Sequence, residues 1–256
     1  MGKIISVANQ KGGVGKTTTS INLSSAIAHL GKKVLIVDID PQGNSTSGLG
    51  IEKSELGNSI YDVLINGVPA KDATISTVME NLYIIPANID LVGAQVELVS
   101  KMARESFLKK ALTPIKDDYD YIFLDCPPSL GILTVNALNA SDKILVPIQC
   151  EFYALEGLSQ LINTVKLVRK SLNPKLEVEG VVLTMYDGRT NLSNQVVEEV
   201  KAFFKNKVYD TIIPRNVRLS EAPSFGLPII KYDPKCLGSE MYLDLAKELI
   251  RANKGV

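Results

Sequence analysis

The chain has 256 residues, 45% of them hydrophobic and 22% charged, with 28 basic side chains balanced by 28 acidic ones. That length and apolar fraction suffice for one large core, so a single domain over 1–256 is expected, and zero net charge leaves any nucleic-acid contact to local clustering. Three dispersed cysteines without a C-x-x-C pair, and the lack of any apolar run near 18 residues, argue against a disulfide framework, a thiolate metal site and a membrane span, and point to the cytoplasm.

The first predicted element is "KIISVAN" at residues 3–9, an apolar run without period-2 alternation, as strands buried on both faces read. It runs into "QKGGVGKTTTS". Gly12, Gly13 and Gly15 let the backbone turn tightly and aim its N–H groups inward, and the helix that follows presents its positive N-terminus to an anion. Lys16 suits the β- and γ-phosphates of a nucleotide, and the Thr17 hydroxyl suits Mg²⁺. The loop departs from the usual phosphate-binding pattern in having Gln10 where a glycine is expected, and it carries a second lysine, Lys11. Residues 1–37 hold five lysines and no acid. Leu23, Ala26, Ile27 and Leu30 recur at helical spacing and predict an amphipathic helix, with His29 as a surface or capping residue in its last turn.

"KKVLIVDID" predicts a second strand, ending in Asp38 and Asp40 before a polar, glycine-bearing loop able to close over a γ-phosphate. Asp40 is assigned to the site, whereas Asp38 reads equally well as a solvated strand-end acid. Residues 54–80 are the least regular and are read as an excursion from the sheet. "DYIFLDCPP" closes an apolar strand with Asp125, where nucleotide hydrolases keep the carboxylate that holds Mg²⁺ directly or through water. Its neighbour Cys126 is read as a packed thiol. "KILVPIQ" and "EGVVLTMY" predict two more strands, separated by a helix with Leu158, Leu161, Ile162 and Val165 on its apolar face. A later helix is expected to turn Val196, Val200 and Phe203 inward and Lys201, Lys205 and Lys207 to solvent. In the C-terminal stretch, Leu243, Ala246, Leu249 and Ile250 form a face suited to packing on the domain, with few cations for a lipid surface. Alternating strands and helices predict an α/β fold, a single-domain P-loop NTPase with a mostly parallel twisted sheet and helices on both faces, binding ligands at the carboxyl ends of the strands.

"KGGVGKTT" is similar to the deviant Walker A motif of the ParA, Soj and MinD family, "DIDPQGNSTSGLG" resembles its Walker A′ and first switch, and "DCPPSLG" resembles its Walker B and second switch. "CEFYALEGLSQL" and "IPRNVRLSEAPSFG" resemble ParA and Soj in particular, so the likeness covers nearly the whole chain. It implies an ATPase with ATP and Mg²⁺ as cofactors. The nucleotide would be held by Lys11, Gly12, Gly13, Val14, Gly15, Lys16, Thr17, Thr18 and Asp125, with Thr17 and Asp125 on the metal. Lys11, Lys16 and Asp40 would be catalytic. Lys16 would act in its own site, Lys11 would cross into that of a second copy, and Asp40 would position the attacking water. Gly12 would allow two loops to approach, and Pro214 and Asn216 would meet the adenine.

The resemblance further implies an ATP-dependent homodimer that binds DNA nonspecifically, is nucleoid-associated, uses no membrane, and answers to a ParB-type centromere-binding protein. Arg189 and Arg218 match positions that contact the DNA backbone, although Arg215 or Arg218 can alternatively brace the nucleotide loop. Between Arg189 and Lys235 eight basic residues face five acids. With Met1 so near Lys11, an N-terminal DNA-reading domain is not expected. Two competing readings are a membrane-cycling ATPase like MinD and a metal-cluster carrier or P-loop synthetase.

Overall fold

The computed structural model describes residues 2–151 and 156–253, without the side chains of residues 156–159. Within that range seven strands form one sheet: β1 (Lys3–Val7), β2 (Val34–Asp38), β3 (Ile75–Ser76), β4 (Leu82–Ile85), β5 (Tyr121–Asp125), β6 (Lys143–Gln149) and β7 (Glu177–Thr184). Their order is β3-β4-β2-β5-β1-β6-β7, parallel throughout except for β3, which runs antiparallel to β4 at the edge. The connections are α1 (Lys16–His29), α2 (Asn44–Gly48), α3 (Leu91–Glu97), α4 (Phe107–Leu112), α5 (Ile132–Ala140), α6 (Glu156–Ser171), α7 (Asn191–Phe204), α8 (Val217–Glu221), α9 (Ile229–Tyr232) and α10 (Leu237–Ala252). The five strands read from apolar runs are all present. β3 and β4 are additions, since "LYII" is four residues long and too short to carry a period of its own.

The central strands lack alternation because both of their faces are buried. Ile4, Leu35, Val37, Ile122 and Leu124 enter one core with α3 to α7, while Ile5, Val34, Ile36 and Phe123 enter another with α1 and α10. α1 is not the amphipathic surface helix its spacing predicts. It is buried from Thr19 to Ala28 because α10, α9 and α2 cover its outer side, and only its end, with His29 and Leu30, is exposed. On α7, Val196 and Val200 are buried as expected and Lys201, Lys205 and Lys207 are exposed, but Phe203 is 59% exposed. The inward position at that helix end belongs to Phe204, against whose ring Phe203 packs edge-on. On α6, Leu161 and Val165 are buried, whereas Leu158 and residues 152–155 of "CEFYALEGLSQL" lie outside the described side chains and residues. On α10, Ala246, Leu249 and Ile250 are buried and Leu243 is partly so.

Two loops meet backbone to backbone where the fold needs glycine. Gly50 (φ 76°) follows α2 and Gly226 (φ 65°) precedes α9, and a Cβ on Gly226 would stand 2.5 Å from Gly50 Cα. At the other end of the sheet a polar clamp secures the C-terminal helix. Glu179 Oε1 accepts from Tyr209 Oη (3.1 Å) and Asn253 Nδ2 (2.6 Å), Glu179 Oε2 pairs with Lys143 (2.6 Å), and Lys3 Nζ donates to the Asn253 carbonyl (3.1 Å). Glu179→Ala strands these donors, including a mostly buried ammonium, and is expected to lower stability by about 3 kcal/mol in urea unfolding. An unchanged midpoint would show that the clamp contributes nothing net.

Candidate nucleotide site

The site begins where β1 ends. Asn9 fixes the start of the loop by donating from Nδ2 to the Pro147 carbonyl (2.7 Å) and accepting the Lys11 N–H on Oδ1 (3.1 Å). Thr184 Oγ1 donates to the Val14 carbonyl (2.9 Å), tying the loop to the end of β7. Gly15, at φ 86°, takes the left-handed conformation that turns the chain into α1, so the loop N–H groups and the helix N-terminus converge. Lys16 is buried, and its Nζ donates to the Lys11 carbonyl (3.0 Å). Burial pushes its pKa down, and the Asp125 and Asp40 carboxylates oppose that shift.

Lys11 and Gly12 are more open. Lys11 is half-buried at the loop rim and its ammonium has no ion pair among the described residues. Gly12 does not need a positive φ, and no atom lies within 4 Å of where its Cβ would be. Nothing within the protomer therefore requires glycine there.

Asp125 and Asp38 are register partners at the ends of β5 and β2, and both are fully buried. Asp125 accepts from Ser20 Oγ (3.0 Å), Ser45 Oγ (2.7 Å) and the Thr17 hydroxyl. Burial raises its pKa and these hydroxyls oppose the rise. Asp38 accepts from the Thr46 N–H (2.9 Å) and hydroxyl (2.8 Å), and its pKa is pushed up to about 7, first by burial and then by the charge of Asp125. The reading of Asp38 as a solvated strand-end acid is thus overturned: the loop after β2 folds back as α2 and covers it. Asp40 is 8% exposed beside them, accepting the Gln42 N–H at 3.0 Å. Cys126 is a buried thiol donating weakly to the Leu124 carbonyl, as packing alone predicts.

Thr17 beside Asp125 supplies a hydroxyl and a carboxylate oxygen, the hard donors that suit Mg²⁺, which takes few protein ligands and completes its shell from phosphate and water. Across Gly15 and Thr18 opens a cavity of about 290 Å³, also lined by Met185, Pro214, Asn216 and Tyr242, near the lower end of ligand-pocket sizes. Asn216 Oδ1 caps α8 by accepting the Arg218 N–H (2.8 Å), which leaves the amide Nδ2 as its donor. Arg215 lines this cavity and pairs with Glu151 (3.0 Å).

The two arginines matched to DNA lie outside the cavity, and each is held by acids of its own chain. Arg189 makes a two-point contact with Asp187 (2.8 and 2.7 Å), and Arg218 pairs with Glu221 (2.9 Å) and Asp233 (3.6 Å). Sequence reading missed Asn9, Ser20, Ser45, Thr46 and Thr184. Ser20 was within reach, one turn along α1 from Lys16, and "NSTS" supplied the other hydroxyls without saying which acid each would meet.

Because Asp38 binds its proton more tightly folded than unfolded, its contribution to stability is complete near pH 4 and is lost as pH rises toward 7. Thermal unfolding in EDTA is expected to show that decline. Asp38→Asn, which carries no charge to bury, should flatten the slope and raise the melting temperature at pH 8 relative to the parent. A slope identical in both proteins would place the titration elsewhere.

The family model described as "AAA domain" matches residues 2–178. The sporulation initiation inhibitor protein Soj of Bacillus subtilis is 63% identical over 249 residues, covering 97% of this chain and 98% of that protein. The chromosome partitioning protein ParA of Myxococcus xanthus is 54% identical over 251 residues, covering 98% and 89%. Among solved structures, cobyrinic acid a,c-diamide synthase from Mycobacterium smegmatis with bound ADP and magnesium superposes with a TM-score of 0.88 at 37% identity, covering 100% of this chain and 96% of that one. MinD of Pyrococcus horikoshii complexed with Mg-ADP gives 0.80 at 25% identity, covering 99% and 98%. The synthase shares the fold at lower identity than the partitioning proteins do. Identity of 63% sustained through nearly the whole of both chains decides the matter: this protein belongs to the Soj/ParA family of chromosome-partitioning ATPases.

Proposed function

We propose that this single-domain chain is a DNA-partitioning ATPase that cycles between an ATP-bound sandwich dimer on the nucleoid and released monomers in the cytoplasm. The observation that carries the reading is the contrast between the two loop lysines, with Lys16 buried and Lys11 only half-buried beside an exposed, unobstructed Gly12. ATP lies in the cradle from Lys11 to Thr18, with its base in the cavity of Pro214 and Asn216. Thr17 and Asp125 would hold Mg²⁺, which would supply neutralisation of phosphate charge. Lys16 meets the same phosphates from within the protomer, and Lys11 reaches those of the facing copy. A second cation arrives only when the dimer forms, which couples assembly to hydrolysis. Asp40, sheltered and backed by Gln42, orients the attacking water. The dimer binds DNA without sequence preference through Arg189 and Arg218, and a ParB-type centromere-binding protein stimulates hydrolysis and release.

Fluorescent-ATP titration with light scattering tests the loop. Lys16→Ala is expected to lose nucleotide binding. Lys11→Ala and Gly12→Val should fold and bind ATP yet remain monomeric, and Asp40→Ala should dimerise while hydrolysing on the order of 10²–10⁴-fold more slowly. A Lys11→Ala protein that dimerised and hydrolysed like the parent would sink the trans role.

The DNA arm is read from a salt series. Log affinity should fall with log salt at a slope near −0.9 for each phosphate contact, so Arg218→Ala should weaken binding to all sequences alike and flatten the slope by about two per dimer. Dimerisation and unstimulated ATPase should be preserved. Unchanged DNA affinity would confine Arg218 to its ion pairs with Glu221 and Asp233.

A further inference from the structure

α3 and the turn after it are apolar on two opposite sides. Leu91, Ala94 and Leu98 are fully buried against the sheet. On the outer side Ile89, Val92, Val96, Val99 and Met102 are all exposed, Val96 at 72% and Met102 at 93%. The inner set accounts for the packing of the helix, so the outer set has no role within the protomer. Ile89, Val92, Val96 and Val99 at helical spacing, with Met102 just beyond, make a patch on the order of several hundred Å², the class that marks an interaction surface.

The stripe borders the nucleotide site. A Cβ on Gly131, in the loop that follows Asp125, would lie 3.8 Å from Gln95 Oε1, and one on Gly43, in the loop that carries Asp40, would lie 2.7 Å from the Ala87 carbonyl at the root of the segment. Its charges are Asp90 and Lys101 near the two ends and, between them, the exposed Glu97, which accepts the Tyr61 hydroxyl of its own chain (3.0 Å). Asp90 is exposed at the N-terminal end, and Lys101 is exposed at the C-terminal end without an ion pair among the described residues. Turned antiparallel about a two-fold axis between Gln95 and Val96, a second identical stripe sets Ile89 against Met102, Val92 against Val99 and Asp90 against Lys101. A parallel arrangement would instead oppose Asp90 to Asp90.

We infer that the occupant of this stripe is a second copy of the chain, paired antiparallel through residues 89–102 in the ATP-bound dimer. The inference rests on the dimer reading above and names a contact that reading lacks. A stable dimer buries about 800 Å² on each partner. Two glycine-rich loops meeting over phosphate supply little of that area, whereas the stripe supplies apolar area and, through its end charges, an isologous register.

Sedimentation of the full chain with Mg²⁺ and adenylyl imidodiphosphate measures the dimer dissociation constant. Val96→Lys, at an exposed position where folding tolerates charge, is expected to weaken association at least tenfold while fluorescent-ATP affinity of the monomer stays unchanged. Asp90→Lys and Lys101→Asp should each weaken it about tenfold, and the double exchange should restore it to within about twofold of the parent. Single reversals without effect, or a double exchange that rescues nothing, would overturn the stripe pairing while a dimeric parent leaves the sandwich reading intact. A parent that stays monomeric with the analogue would overturn the sandwich reading itself.

Discussion

Two carboxylates without solvent, side by side on adjacent strands, set the terms for everything around them. Asp38 and Asp125 end β2 and β5 in register, so the parallel sheet itself forces the approach. Burying such charges costs several kcal/mol each unless donors converge on them. The donors are Thr17 and Ser20 from α1, and Ser45 and Thr46 from α2. Each charge-assisted hydrogen bond returns about 1.5–3 kcal/mol, which brings the cost within reach. The phosphate loop enters the same balance, because burial lowers the pKa of Lys16 while Asp125 and Asp40 oppose that shift. A divalent cation between Thr17 and Asp125 would relieve the like-charge repulsion further.

How much of this was legible depends on whether a residue's role is decided by its chain neighbours or by what folds against it. The strand, glycine-rich loop and helix with Lys16 and Thr17 are local, and the structure has them in that order. Asp125 was legible because an acid closing an apolar strand sits at a carboxyl end of the sheet wherever that strand lies. Asp38 occupied the same kind of position, yet its burial was hidden, since the cover comes from Thr46, eight residues on, folding back. Phe203 and Phe204 illustrate the same limit: either spacing fits the face of α7, and only the core at its far end selects Phe204. β4 was missed because four residues cannot display a period, although they fill the slot beside β2. α1 reads as amphipathic from Leu23, Ala26, Ile27 and Leu30, while its polar Thr19 and Asn22 are buried against Tyr242 and Ile229 from the last quarter of the chain.

The same packing ties the nucleotide loop to the segment bearing Arg218. Gly50 leaves α2 and meets Gly226 backbone to backbone, with no side chain between them to absorb a displacement. Pro223, in the same turn as Gly226, lines the cavity shared with Pro214 and Asn216, and the Ile229 N–H just beyond donates to Asn22 Oδ1 of α1 at 2.7 Å. The turn after α8 is thus fixed at once to α1, that cavity and the turn after α2. Interiors at crystal-like density transmit a shift of a few tenths of an ångström instead of absorbing it. A displacement of α2 would press first on Gly226, which is joined to Arg218 through the end of α8 and the turn at residues 222–225. The positive charge at Arg218 is held by Glu221 and Asp233 on two different elements, α8 and the loop after α9. Arg218 keeps both pairs only while those two elements hold their relative position.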